Sequence, residues 1–379
     1  MSEPSPTPTP TSSAPVSGRG RRRSLAPPGR RRGLGGAHER GHRVRRLVPV
    51  VALVALAAAV AACTSSGSTT AAGGSATTAA GGRAAAGTTV AGADPVASLP
   101  TLRVTATEHA DGAAMAYGFD GPTSVPAGKV LVEVRNDGKE EHQAAVARLA
   151  PGVTYEQLEA AIATNPMAGF PLIEAVGGPA GVAPGATSKG IVALTPGQYV
   201  LYCFVQDAQG VPHLAHGMHR RLEVTGPAGG GPSGTPASTQ ASTPGGAPIP
   251  TAGTITLQDF GILLPDGFAG KGWYQVVNDG PQPHEAVIYK AAPGHTSAEL
   301  STYLTRIGAA LSGTGPMPTD PFPGVPAGGV SAAAKGADQW IWLDLDPSGQ
   351  HLFLCGIPDT TKGFIPHFME GMTTTWPSS

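Results

Sequence analysis

Cysteine is nearly absent from this sequence: 379 residues hold three, at Cys63, Cys203 and Cys355. Thiols so few and so far apart exclude a framework of intradomain disulfides. Charge is sparse as well, at 13% of residues, and stretches with helical periodicity are correspondingly few. No P-loop, dinucleotide fingerprint or Ser–His–Asp signature occurs in a strand–helix setting, so the usual nucleotide and hydrolase chemistries have no foothold. No His-x-His pair occurs anywhere. The apolar run Leu47–Ala62, broken only by Pro49, is 16 residues long, which is short for a helix that spans a bilayer.

What is abundant is Gly (54) and Pro (38), unevenly placed, as long flexible segments around ordinary folded domains would have them. The net charge of −1 conceals a split. Residues 1–46 carry eleven Arg against Glu3 and Glu39, which leaves 14 basic and 24 acidic residues from position 47 onward. An acidic chain argues against a nucleic-acid partner and suits steering toward a basic one. A basic stretch, an apolar run and small residues before a cut site describe a secretory signal over residues 1–62. Its end, Val60-Ala61-Ala62-Cys63, resembles a bacterial lipobox. That resemblance implies diacylglyceryl modification of Cys63 and a protein held on the extracytoplasmic face of the cell membrane. The alternative is an uncleaved anchor helix with an incidental cysteine. Residues 63–98 then read as a flexible tether and 226–250 as a Gly/Pro/Ser/Thr linker.

Two segments remain, 99–225 and 251–379, and they repeat each other. Val134-Arg-Asn-Asp-Gly leading to His142 matches Val276-Val-Asn-Asp-Gly leading to His284, and Ala150-Pro-Gly matches Ala292-Pro-Gly. Gly197-Gln198 and Cys203 match Gly349-Gln350 and Cys355; Pro212-His213 and Gly217-Met218 match Pro366-His367 and Gly371-Met372. The offset grows between these anchors, as insertions in loops produce. This is a tandem duplication.

Within each copy short strands alternate between turn residues: Lys129–Val134, Gln143–Leu149, Gln198–Phe204 and Arg221–Val224, then Trp273–Val277, Glu285–Tyr289, Trp340–Leu345 and His351–Cys355. Such spacing predicts an all-β sandwich or barrel. One helix stands out per copy, over 154–164 and 296–311, each opened by a Thr N-cap with acid in the first turn.

Each copy also presents four soft or borderline donors in the same order: His142, Cys203, His213 and Met218, then His284, Cys355, His367 and Met372. Two imidazoles and a thiolate with a long axial thioether suit copper in both its oxidation states. In ligand order, in the Asn-Asp-Gly turn before the first His, and in the shared His-x4-Met, both copies resemble the cupredoxin family. The resemblance covers about 99–225 and 251–379. It implies two tandem Greek-key β-sandwiches, each with one inserted helix, and one type 1-like copper ion per domain. One departure is the interval from Cys to the second His: nine residues in one copy and eleven in the other, against two to four in small cupredoxins. The alternatives are a metal-free cupredoxin-like scaffold, a Cys203–Cys355 disulfide, or zinc. His216 and His219 lack counterparts in the second copy, where Glu370 and Thr373 stand; they read as surface residues, a copper-capture patch or an alternative ligand. Glu140-Glu141 reads as a solvated turn.

Multicopper oxidases and copper nitrite reductases are also built of tandem cupredoxin domains. They carry His-x-His pairs and a His beside the blue-copper Cys, whereas Cys203 lies between Tyr202 and Phe204, and Cys355 between Leu354 and Gly356. The expectation is an electron carrier with a redox partner protein and no catalytic centre, the alternative being copper capture or delivery.

Overall fold

The computed structural model describes residues 95–111, 114–226 and 248–377. The expected signal, Cys63, most of the tether and most of the linker lie outside the described residues.

The first half runs β1 (Thr101–Asp111), β2 (Ala114–Asp120), β3 (Ser124–Pro126), β4 (Gly128–Asn136), β5 (Ala145–Leu149), α1 (Tyr155–Thr164), β6 (Ile173–Gly177), β7 (Thr187–Leu194), β8 (Gly197–Tyr202) and β9 (His219–Thr225). The second runs β10 (Gly253–Gln258), β11 (Gly261–Leu263), β12 (Lys271–Asn278), β13 (His284–Ala291), α2 (Ser297–Leu311), β14 (Gly324–Ala333), β15 (Gln339–Asp344), β16 (His351–Leu354), β17 (Pro358–Asp359), β18 (Ile365–Pro366) and β19 (Thr373–Trp376). The architecture is all-β with one longer helix in each half. Both helices begin where the Thr signals place them: Thr154 and Thr296 accept from the N3 amide, and Gln157 and Glu299 reach back to the N-cap amide, each closing a capping box.

Alternation decides which residues face the core. On β4, Val130, Val132 and Val134 point into the first sandwich beside Leu102, Leu201, Cys203 and Met218. The equivalent core of the second half gathers Tyr274, Val276, Ile341, Phe353, Cys355 and Met372. The helices cover the outer face of one sheet, α1 through Leu158 and Ile162 and α2 through Leu300, Leu304 and Ile307.

The two halves do not hang apart. One sheet runs β11-β10-β12-β15-β7-β4-β1-β2 and the other β19-β16-β13-β14-β6-β5-β8-β9-β3, so both sheets pass through both halves. The joining pairs are antiparallel: Gln339–Ile341 of β15 on Gly190–Val192 of β7, and Ala333 of β14 on Val176 of β6. β15 occupies in the second copy the place of β7 in the first, so equivalent edges pair with each other, as the identical patches of a twofold dimer do. Pairing also removes edges that would otherwise stand open. The seam is dry. Leu131 and Ile191, on the outer face of their sheet, are covered by Val96, Ile249 and Trp340. Backbones approach closely there. Gly181 takes φ +62, and a Cβ on it would meet Gly328 O at 2.2 Å, so this position needs glycine.

Candidate metal centres

His142 follows the turn after β4. That turn is tied down by Asn136, whose amide donates to Glu140 O at 2.7 Å and Val182 O at 2.8 Å while its Oδ1 accepts from Gly138 N at 2.8 Å. His142 then pairs with Val182 as an isolated bridge. Asn278 makes the same three bonds before His284, to Gln282 O, Ala333 O and Gly280 N. The Asn-Asp-Gly signal thus fixes the first histidine of each copy through the Asn side chain.

Cys203 lies just past the end of β8 and Cys355 just past β16. The second histidine opens a 3-10 turn, His213–His216 or His367–Glu370. Gly217 and Gly371 close these turns in the left-handed conformation, at φ 91 and φ 100, which returns the chain so that Met218 N bonds His213 O and Met372 N bonds His367 O. Cys203 N bonds Met218 O and Leu214 N bonds Cys203 O; Cys355 N bonds Met372 O and Phe368 N bonds Cys355 O. The long Cys-to-His intervals have a simple resolution. His213 N bonds Val205 O at 2.8 Å and His367 N bonds Ile357 O at 2.9 Å, which pinches the surplus residues out as small hairpins. The stretch that actually frames each site is therefore short in both copies.

The donors converge. In the first half His142 Nδ1 and His213 Nδ1 are 3.1 Å apart, and Cys203 Sγ lies 3.8 and 3.6 Å from them. In the second, His284 Nδ1 and His367 Nδ1 are 3.0 Å apart, with Cys355 Sγ at 4.0 and 3.4 Å. Met218 and Met372 are fully buried in the same clusters as the cysteines. Both cysteines are free thiols. A triangle of that size is spanned by one first-row ion bonded at about 2 Å to nitrogen and slightly farther to sulfur.

Electrostatics agree. Burial pushes the Cys203 thiol up to about 12 and the Cys355 thiol higher still, so without an ion both stay protonated; a bound cation is what makes such a buried sulfur a thiolate. Each sulfur already accepts from backbone amides, Gln143 or Glu285 at 3.5 Å and Val205 or Ile357 besides. Burial lowers His142, and burial together with His284 lowers His367 to about 4, leaving imidazoles neutral and ready to ligate. The ring nitrogens that face away meet carboxylates: His142 Nε2 and Glu108 at 3.1 Å, His213 Nε2 and Glu140 at 2.9 Å, His284 Nε2 and Asp259 at 2.8 Å. Such partners fix the tautomer and raise ligand basicity. Burial would raise Glu108, but bonds from His142 and from the Glu140 and Lys139 amides hold it at about 2.

In structure, the chain is similar over about a third of its length to solved copper proteins. Rusticyanin from Thiobacillus ferrooxidans aligns over 33% of this chain and 76% of its own, at 20% identity and a TM-score of 0.22. Auracyanin A from Chloroflexus aurantiacus aligns over 33% of this chain and 98% of its own, at 18% identity and a TM-score of 0.21. A copper-containing nitrite reductase from Thermus scotoductus aligns over 67% of this chain and 57% of its own, at 12% identity and a TM-score of 0.20. No family model and no curated protein matches the sequence. What selects the metal is the donor set: two imidazoles, one thiolate and a thioether in each half are the donors of copper.

The remaining histidines lie elsewhere. His216 Nε2 is 2.9 Å from Asp207 Oδ2, and His219 Nδ1 is 2.8 Å from Tyr155 Oη; neither joins a donor triangle. Glu140-Glu141 is not the solvated turn expected. Glu140 touches His213, and Glu141 is buried at the seam, where Tyr289 Oη of the other half donates to its oxygens at 2.9 and 3.1 Å. Burial lifts Glu141 to about 8, so the pair meets as a neutral acid and a phenol. Glu108 and Asp259 escaped the sequence reading. The signal was present: Glu108 follows Val104 at the spacing by which Asp259 follows Ile255, so the duplication carries an acid at the same place in both copies.

Proposed function

We propose that this chain is an exported, lipid-anchored protein that holds one copper ion in each half and passes single electrons. The observation that carries the reading is the pair of buried Nδ1–Nδ1–Sγ triangles, built by the same backbone bonds in both copies. All eight donors are 0% exposed, which favours an ion kept in place over cargo handed on. Copper, when bound, supplies a one-electron couple. The chain's own residues hold the donors rigid: the Asn turns position His142 and His284, the pinched loops position His213 and His367, and Glu108, Glu140 and Asp259 orient three of the four rings. The lack of any His-x-His pair supports a carrier over an oxidase. Attachment through Cys63 to the outer face of the membrane is supported by the Val-Ala-Ala-Cys end of the apolar run, and the acidic surplus beyond residue 46 supports a basic redox partner.

The test is Cu(II) addition to the purified chain. Two ions per chain and an intense thiolate-to-copper band toward the red end of the visible spectrum are expected. Cys203→Ser and Cys355→Ser should each remove about half of that band, as one site per half requires. A colourless protein with no bound copper refutes the reading.

A further inference from the structure

The two copies treat the outer side of the second histidine differently. In the first half Glu140 takes His213 Nε2, and Asp207 takes His216. In the second half Gln282 stands where Glu140 stands and Glu370 where His216 stands, while Asp359 replaces Asp207 in kind. His367 thereby loses the carboxylate of the Asn turn, and Asp359 faces a second acid instead of an imidazole.

Three buried polar atoms are left without a hydrogen-bond partner on this side: His367 Nε2, Asp359 Oδ2 and Glu370 Oε2. One ligand atom from each of the three residues lies within 4.8 Å of the others. The arrangement is built into the backbone. His367 and Glu370 are three apart on a 3-10 turn, where side chains at that spacing eclipse. Asp359 is fixed by Thr361, whose N and Oγ1 donate to Oδ1 at 2.7 and 2.6 Å; the Gln282 side chain also reaches this carboxylate, and Oδ2 keeps no hydrogen bond of normal geometry. Asp359 and His367 are both 0% exposed. One oxygen on each of two acids and an imidazole nitrogen, all buried and without a hydrogen bond, call for a cation. Lys362 answers only in part: its Nζ bonds Glu370 Oε1 but stays 3.9 Å from Asp359 Oδ2, on a side chain 51% exposed that can swing into solvent.

We propose that Asp359, His367 Nε2 and Glu370 form a further divalent-cation site on the outer side of His367, which takes a borderline ion such as zinc or cobalt as Lys362 swings away. One imidazole and two carboxylates with room for water are a donor set for such ions. The site rests on Nε2 and stands independently of what Nδ1 holds. Were copper held at Nδ1, Nε2 would still be available to the second cation once its proton had passed to solvent.

The probe is Co(II), dialysed against the full chain after saturation with Cu(II). The wild type is expected to keep one cobalt per chain without losing copper, with visible d–d bands and no thiolate-to-cobalt charge transfer. The double variant Asp359→Asn, Glu370→Gln should keep its copper and lose the cobalt. Lys362→Ala, at an exposed position, should bind cobalt about tenfold more tightly, equivalent to about 1.4 kcal/mol. Equal cobalt in wild type and double variant, cobalt seen only with thiolate charge transfer, or unchanged affinity in Lys362→Ala overturns the proposal. A protein that takes no copper yet shows the cobalt pattern refutes the copper reading and leaves this site standing.

Discussion

Asn136→Ala isolates what the turn before the first ligand contributes. Asn136 is fully buried and makes three bonds of 2.7 to 2.8 Å. The Val182 carbonyl it serves keeps one other partner, His142 N at 3.1 Å, so its loss is partial. The Glu140 carbonyl and the Gly138 amide are nearer the surface and recover some bonding to water. At roughly 1 kcal/mol for each bond, with the buried one at the upper end, the change should cost about 3 kcal/mol of stability. Asn278 makes the same three bonds at 2.7, 2.8 and 2.9 Å, so Asn278→Ala should cost a similar amount. Asn136→Asp separates side-chain bonding from turn preference. Aspartate favours the same turn and keeps the acceptor for Gly138, but it loses both donations and sets a carboxylate against two carbonyls, so it should cost at least as much as alanine. The assay is urea unfolding of the copper-free protein, paired with a copper titration. Each alanine variant should weaken copper in its own half by about tenfold, since His142 or His284 is no longer held, and leave the other half unchanged. A loss below about 1 kcal/mol, an Asp variant as stable as the wild type, or equal weakening in both halves would refute the reasoning.

Gly181→Ala should destabilise the chain by about 3 kcal/mol or more, because its Cβ would overlap Gly328 O at the seam and its φ is positive; Gly185→Ala, at φ +74 with nothing within 4 Å, should cost only about 1 kcal/mol, and thermal melting of the two variants checks the contrast. His351 is buried against Trp376, with Lys290 and Asp346 as its charged neighbours, and burial lowers its pKa. A folded-state value below the unfolded one means that the unfolded chain binds the proton first. Stability of the copper-free protein should therefore be full above about pH 6.5 and fall as pH drops below it. His351→Gln should flatten that fall in urea titrations across the range, and an unchanged slope would exclude His351 as a source.

The order of the candidate donors, the duplication, both helix starts and eight of the strands are legible in the sequence, because each is a local matter of periodicity, turn chemistry or spacing; strands such as β1, β6, β7 and β14 are not. The Asn-Asp-Gly turns were legible as turns. Their clamp was not, since Val182 lies 46 residues from Asn136. The long Cys-to-His intervals looked like a departure because the number of residues between two ligands says nothing of how they fold; two backbone bonds, from His213 N to Val205 O and from His367 N to Ile357 O, remove the difficulty. Tertiary structure alone decided the partners of the ring nitrogens, which come from β1, from the residue after β10 and from the turn after β4. It alone joined the halves as well. Pairing of β7 with β15 uses backbone groups that every residue carries, so no side-chain pattern announces it; only the folded edges, the glycines that let them approach and the Trp340 cover make two repeats share two sheets. The sequence by itself marked eight side chains of the copper-donor type, and the fold brought the two histidines and the cysteine of each half within reach of one another.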